Sequence, residues 1–116
     1  MSIFVKTNIS IMKTIGEIIR IERERKGMLL RQLASYIDID ASILSKVERG
    51  ERKATKTQII KIAEILSLNK NELLIQYISE KIAYELVDEE SVKQTLKAAE
   101  KKVEYLKREK YISANK

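Results

Sequence analysis

Apolar residues in this chain recur at intervals of three and four from Thr14 onward, in short runs separated by polar breaks. No run shows the strict alternation of a half-buried strand, so the pattern predicts an all-α chain. Thr14 and Glu17 have the spacing of a capping box, which starts a first helix carrying Ile15, Ile18 and Ile19, and Gly27 ends it. A second helix carries Leu30, Leu33, Ala34 and Ile37 and stops near Asp38. Asp40 reads as the N-cap of a short third helix from Ala41 to Arg49, with Leu44 and Val47 inward, Ile43 at the edge and Gly50 as its stop.

A polar, basic loop from Glu51 to Lys56 follows, and Thr57 reads as the cap of a fourth helix whose apolar face is Ile59, Ile60, Ile62, Ala63, Ile65 and Leu66. Asn69 or Asn71 opens a fifth helix, from Glu72 to Val87. Asp88 reads as the N-cap of a last helix, with Glu89 and Glu90 in its first turn, where the helix dipole favours negative charge. Val92, Leu96, Ala99, Val103 and Leu106 then alternate by four and three, a narrow seam suited to lie against another helix.

Composition narrows the chemistry. The 116 residues are the size of one domain, and 44% hydrophobic content suffices for a modest core. Cysteine, histidine, tryptophan and proline are absent, so disulfides, Cys/His metal sites, thiol chemistry and histidine acid-base catalysis are excluded. Glu and Asp abound, but no Gly-rich phosphate loop or nucleophile setting frames them, so the chain reads as a non-enzyme with no cofactor and no metal. The formal net charge of +6 favours polyanionic partners. No stretch reaches the roughly 20 apolar residues that span a bilayer, and Ser2 to Met12 lacks the features of a signal peptide, so the default location is cytoplasmic.

The third helix is where the pattern turns specific. Ala41, Ser42, Ser45 and Lys46 form a small, polar outer side, held from within by Leu44 and Val47. A groove about 12 Å wide admits such a helix. Ser42 and Ser45 can donate or accept at base edges, and Lys46 can reach a guanine or a phosphate.

Leu33 and Ala34, the run from Leu44 through Ser45, Lys46, Val47, Glu48 and Arg49 to Gly50, and Lys61, Ile62 and Ala63 followed by Leu66 together resemble the Xre/Cro phage-repressor-type helix-turn-helix family, which includes restriction-modification controllers. The resemblance covers roughly 14–74 and implies a five-helix repressor-like domain with an additional C-terminal helix. It also implies that Ala41, Ser42, Ile43 and Lys46 face bases, and that Leu30, Arg31, Arg49, Arg52, Lys53 and Lys56 occupy phosphate-contacting positions. Arg23 and Glu48 match a pair that ties the first helix to the recognition helix. Three positions depart from the family pattern. Leu30 stands where a polar group is usual, Asp38 where glycine is, and Ala54 where proline is common.

Four segments are therefore expected: a flexible 1–13, a helix-turn-helix domain at 14–74, a helical dimerisation extension at 75–110 and a frayed tail at 111–116. The seam can fold back on its own domain or meet a second chain. Because two operator half-sites demand a symmetric dimer, the expectation is a homodimer through Tyr77, Ile78, Ile82, Leu86, Val92, Leu96, Ala99, Val103 and Leu106. The function expected is a dimeric, sequence-specific regulator of double-stranded DNA, a repressor by resemblance. The alternative is an antitoxin or anti-regulator whose C-terminal helices hold a protein partner such as a toxin.

Overall fold

A computed structural model describes residues 13–114, and the expected flexible segment lies, but for Lys13, outside the described residues. Those residues form six helices and no strand: α1 (Ile15–Arg25), α2 (Leu30–Tyr36), α3 (Ala41–Glu48), α4 (Lys56–Ile65), α5 (Lys70–Leu86) and α6 (Val92–Ala114). They divide into two compact units, one running to Ile82 and the other from Ala83. Among the described residues no helix is long and apolar enough to cross a membrane.

In the first unit the predicted stripes converge on one core. Ile18, Ile19, Leu33, Ala34, Ile37, Leu44, Val47, Ile59, Ile62, Ala63 and Leu66 are all buried, joined by Leu73 and Tyr77 of α5. Ile60 and Ile65 are only half-buried and form the edge of the α4 face. Ala54 is buried too, although the sequence places it in a polar loop. The first unit runs past the expected boundary at residue 74 because α5 contributes Leu73 and Tyr77 to the core and sends Glu80 back to α1, where its carboxylate accepts from the Ile15 amide at 3.0 Å.

Helix starts follow local hydrogen bonding. The Thr14 hydroxyl oxygen accepts from the Glu17 amide at 3.1 Å. The Glu17 carboxylate accepts in return from the Thr14 hydroxyl at 3.2 Å, and Glu80 takes the next free amide of the first turn, that of Ile15. Helix α4 begins two residues earlier than a cap at Thr57 allows: Thr55 and Gln58 form a reciprocal capping box, at 3.1 Å and 2.9 Å. Asp40 occupies the N-cap position of α3 without a side-chain cap bond. Asn69, not Asn71, opens α5, accepting from the Glu72 amide at 3.0 Å.

The helix ends share one device. In α1 the amides of Gly27 and Met28 return to the carbonyls of Glu24 and Arg23, and the same paired bonds close α2 at Asp38 and Ile39, α3 at Gly50 and Glu51, and α4 at Ser67 and Leu68. This double closure requires a left-handed residue just past the helix. Gly27 and Gly50 supply it at φ 66° and 78°, and Asp38 and Ser67 adopt it as non-glycine residues at φ 57° and 54°. Met28, Ile39 and Leu68, which follow three of these four residues, pack on the core and fix those turns from outside.

In the second unit, α6 starts at Val92 rather than near Asp88, so Asp88, Glu89 and Glu90 lie in the connection and the Thr95 amide returns to the Ser91 carbonyl. It runs to Ala114, past the expected tail from Tyr111, because no glycine or proline interrupts it.

Candidate nucleic-acid interface

Helix α3 is held from two sides, packing against α1 and α2. Its inner face is Leu44 and Val47, with Glu48 buried beside them. Two contacts fix it to α1. The first is a backbone approach at Gly16, where a Cβ would lie 2.3 Å from the Val47 carbonyl oxygen and 2.7 Å from that of Glu48. Only glycine leaves room for the two helices there. The second lies two turns further along α1, where the Arg23 guanidinium grips the Glu48 carboxylate through Nε at 2.8 Å and Nη2 at 3.0 Å.

Nη1 of Arg23 also donates to the Met28 carbonyl at 2.8 Å, so one side chain ties together α1, the turn after it and α3. The hydrogen bond to Glu48 raises the Arg23 pKa above its ordinary value, against a lowering by burial. The guanidinium therefore stays charged, and the planar two-pronged geometry fixes the rotation of α3 about its own axis.

The opposite face is open. Ser42 and Lys46 are exposed, Ser45 and Ile43 are half-buried, and Ala41 packs in part against the core. Arg49, just beyond, is exposed and forms an ion pair with Glu51. Arg52, Lys53 and Lys56 are exposed in the loop and at the start of α4. That loop is pinned by a contact the sequence does not advertise: the buried Tyr77 hydroxyl donates to the Ala54 carbonyl. The Lys81 ammonium sits over the Tyr77 ring, 4.4 Å from its centre.

Two expected roles are corrected. Tyr77 cannot line a dimer interface, because only 4% of it is exposed and its hydroxyl is committed to Ala54. The Leu30 side chain packs against the core and carries no donor, so it cannot hold a phosphate. Arg31 beside it is exposed, while Gln32 folds back to accept from the Leu29 amide at 2.7 Å. Of the other residues expected to pair with a second chain, Ile78, Ile82, Leu96, Ala99, Val103 and Leu106 are exposed, and Leu86 and Val92 are half-buried.

Sequence reasoning missed Gly16, Tyr77 with Ala54, and Glu80. A glycine inside a helical pattern was the available signal for the first, since it weakens the helix by about 1 kcal/mol and calls for a packing reason. The other two are long-range pairings with no local signature.

The family model for helix-turn-helix proteins matches residues 19–73. Among curated proteins of Bacillus subtilis (strain 168), the HTH-type transcriptional regulator SlrR is 36% identical over 74 residues, 63% of this chain and 47% of that protein. The HTH-type transcriptional repressor RghR is 35% identical over 72 residues, 60% of this chain and 53% of that one. The chain thus spans about half the length of the curated relatives it matches. The crystal structure of the clp gene regulator ClgR from Corynebacterium glutamicum shares the fold, with a TM-score of 0.50 at 22% identity over 79% of this chain and 84% of that one. Residues 19–73 thus match the helix-turn-helix family, in line with the resemblance of the Leu44–Gly50 run to the Xre/Cro type.

Proposed function

We infer that the chain regulates transcription by binding double-stranded DNA in a sequence-specific way, as a homodimer whose α3 helices enter the major groove at two half-sites, in the cytoplasm. The observation that carries this reading is the exposure of Ser42 and Lys46 on a helix whose other face is braced by Leu44, Val47 and the Arg23–Glu48 pair. Ala41, Ser42, Ile43, Ser45 and Lys46 read base edges, with Ile43 reaching a thymine methyl. Arg31, Arg49, Arg52, Lys53 and Lys56 meet phosphates, and Arg49 exchanges Glu51 for a phosphate on binding. Repression is the direction of control, in keeping with the repressor RghR among the relatives.

The test is a fluorescence titration on operator sequences selected from a random duplex pool. Lys46→Ala weakens binding to the selected site by roughly tenfold, the loss of one good base contact, while leaving random DNA little changed. Lys53→Ala and Lys56→Ala weaken binding to all sequences and lower the slope of log affinity against log salt by about one each. Affinity independent of salt, or no affinity at low salt, overturns the reading. A second reading, a regulator whose chief partner is another protein, rests on the exposed apolar positions of α6. Stoichiometric co-purification of that partner from the native source is the result that favours it.

A further inference from the structure

Helix α6 carries its apolar residues where water meets them. Leu96, Val103 and Leu106 are 45%, 48% and 62% exposed, on a 23-residue helix with charge on the flanks of that seam. Taking Leu96 and Val103 as one set of core positions and Val92, Ala99 and Leu106 as the other continues the seam through Lys110. The residues that border it on one side are Lys93, Glu100 and Lys107, and on the other Thr95, Lys102 and Glu109. Among the described residues none of Glu100, Lys102, Lys107 and Glu109 forms an ion pair within the chain, and all four are exposed.

We propose that α6 pairs with α6 of a second copy of this chain in antiparallel orientation, with Val103 opposite the partner's Leu106. This inference rests on the dimeric reading above and assigns its interface and direction. In that register every flanking pair of opposed charges is complementary. Glu100 meets the partner's Lys107, Lys102 meets the partner's Glu109, and symmetry repeats both pairs. Lys110 falls opposite the partner's Ala99, whose short side chain leaves space for the lysine stem while the ammonium reaches water.

The parallel alternative fails on the same residues. It stacks Lys110 against the partner's Lys110 inside the seam and sets Lys102 against the partner's Lys107 on the flank. Like charges in contact oppose association, so the sequence selects one direction by repulsion as well as by attraction.

The test uses the whole chain, in which an introduced cysteine is unique because the sequence has none. In the antiparallel register, position 99 lies about eleven residues, or roughly 16 Å, along the axis from the partner's position 99, beyond the reach of a disulfide. Ala99→Cys alone therefore gives little covalent dimer on mild oxidation, whereas an equal mixture of Ala99→Cys and Lys110→Cys chains gives the mixed disulfide. Sedimentation equilibrium at low salt supplies the second arm. Glu100→Lys and Lys107→Glu each raise the dimer dissociation constant about tenfold, since each removes two symmetry-related pairs and adds two repulsions, and the double exchange restores it. Circular dichroism checks that each variant keeps its helix.

Efficient linking of Ala99→Cys to itself, or tighter association of Lys107→Glu, overturns the antiparallel pairing while leaving the dimer standing. A chain that stays monomeric at every concentration overturns both. DNA affinity, measured separately by titration of the same unmodified chain, reports on the groove-reading role of α3 independently of either result.

Discussion

At the scale of single residues, the unusual positions are those where the backbone turns left. Asp38 and Ser67 hold φ near 57° and 54° at the ends of α2 and α4, where glycine would be free of the Cβ clash that makes this conformation costly. Asp38→Gly and Ser67→Gly are each expected to stabilise the fold by about 0.5–1 kcal/mol, the relief of that clash less the added entropy of the unfolded chain. Urea midpoints measured with an unchanged m-value check this.

Glu48 is the opposite case, a carboxylate whose side chain is only 5% exposed and whose stability depends on Arg23. Glu48→Ala strands the guanidinium and is expected to cost about 3–5 kcal/mol, whereas Glu48→Gln, which keeps an acceptor, costs less. The raised pKa of Arg23 gives the sign of any pH effect. From neutral pH upward its stabilisation is fully present below the ordinary guanidinium value and fades only as pH rises through the higher folded value, so unfolding free energies should show no loss from this pair at neutral or moderately alkaline pH.

At the scale of elements, the position of α3 depends on how closely α1 approaches it. The backbone contact at Gly16 and the ion pair at Arg23 lie on one stripe of α1, seven residues apart. Together they set both the distance and the rotation of the helix proposed to read the groove. Gly16→Ala raises intrinsic helix propensity, yet its methyl group would press on two carbonyls that belong to α3. The clash prevails, and the expected outcome is a loss of about 1–3 kcal/mol together with weaker binding to the selected operator, as α3 is pushed outward. Equal or greater thermal stability in the variant would show that the two helices can separate freely. The Tyr77 hydroxyl plays a comparable part for the basic loop, holding Ala54 so that Arg52, Lys53 and Lys56 leave the core at defined points.

At the scale of the molecule, the division after Ile82 explains why the family match, which ends at residue 73, stops short of a self-sufficient unit. Helix α5 supplies Tyr77 to the core and Glu80 to the first turn of α1. Truncation after Ile82 is expected to leave a cooperatively unfolding domain. Truncation after Leu74, where the sequence puts the boundary, removes a core aromatic and the carboxylate that accepts from the Ile15 amide, and is expected to cost most of the stability. Denaturation curves of the two fragments, read by circular dichroism, decide between these outcomes.

The helical count, the buried stripes of α1 to α4, the stops at Gly27, Asp38 and Gly50, and the outward side of α3 were legible in the amino-acid pattern, because they depend on contacts three to five residues apart. The cap at Thr55 was equally local and was passed over for Thr57 although Gln58 stood at the spacing that marks it. The roles of Gly16, Ala54, Tyr77 and Glu80 were decided by tertiary structure alone, since each depends on a partner that chain topology brings from 23 to 65 residues away. Local periodicity determines which face of a helix avoids water. What that face meets, and at what distance, is set only when the chain closes on itself.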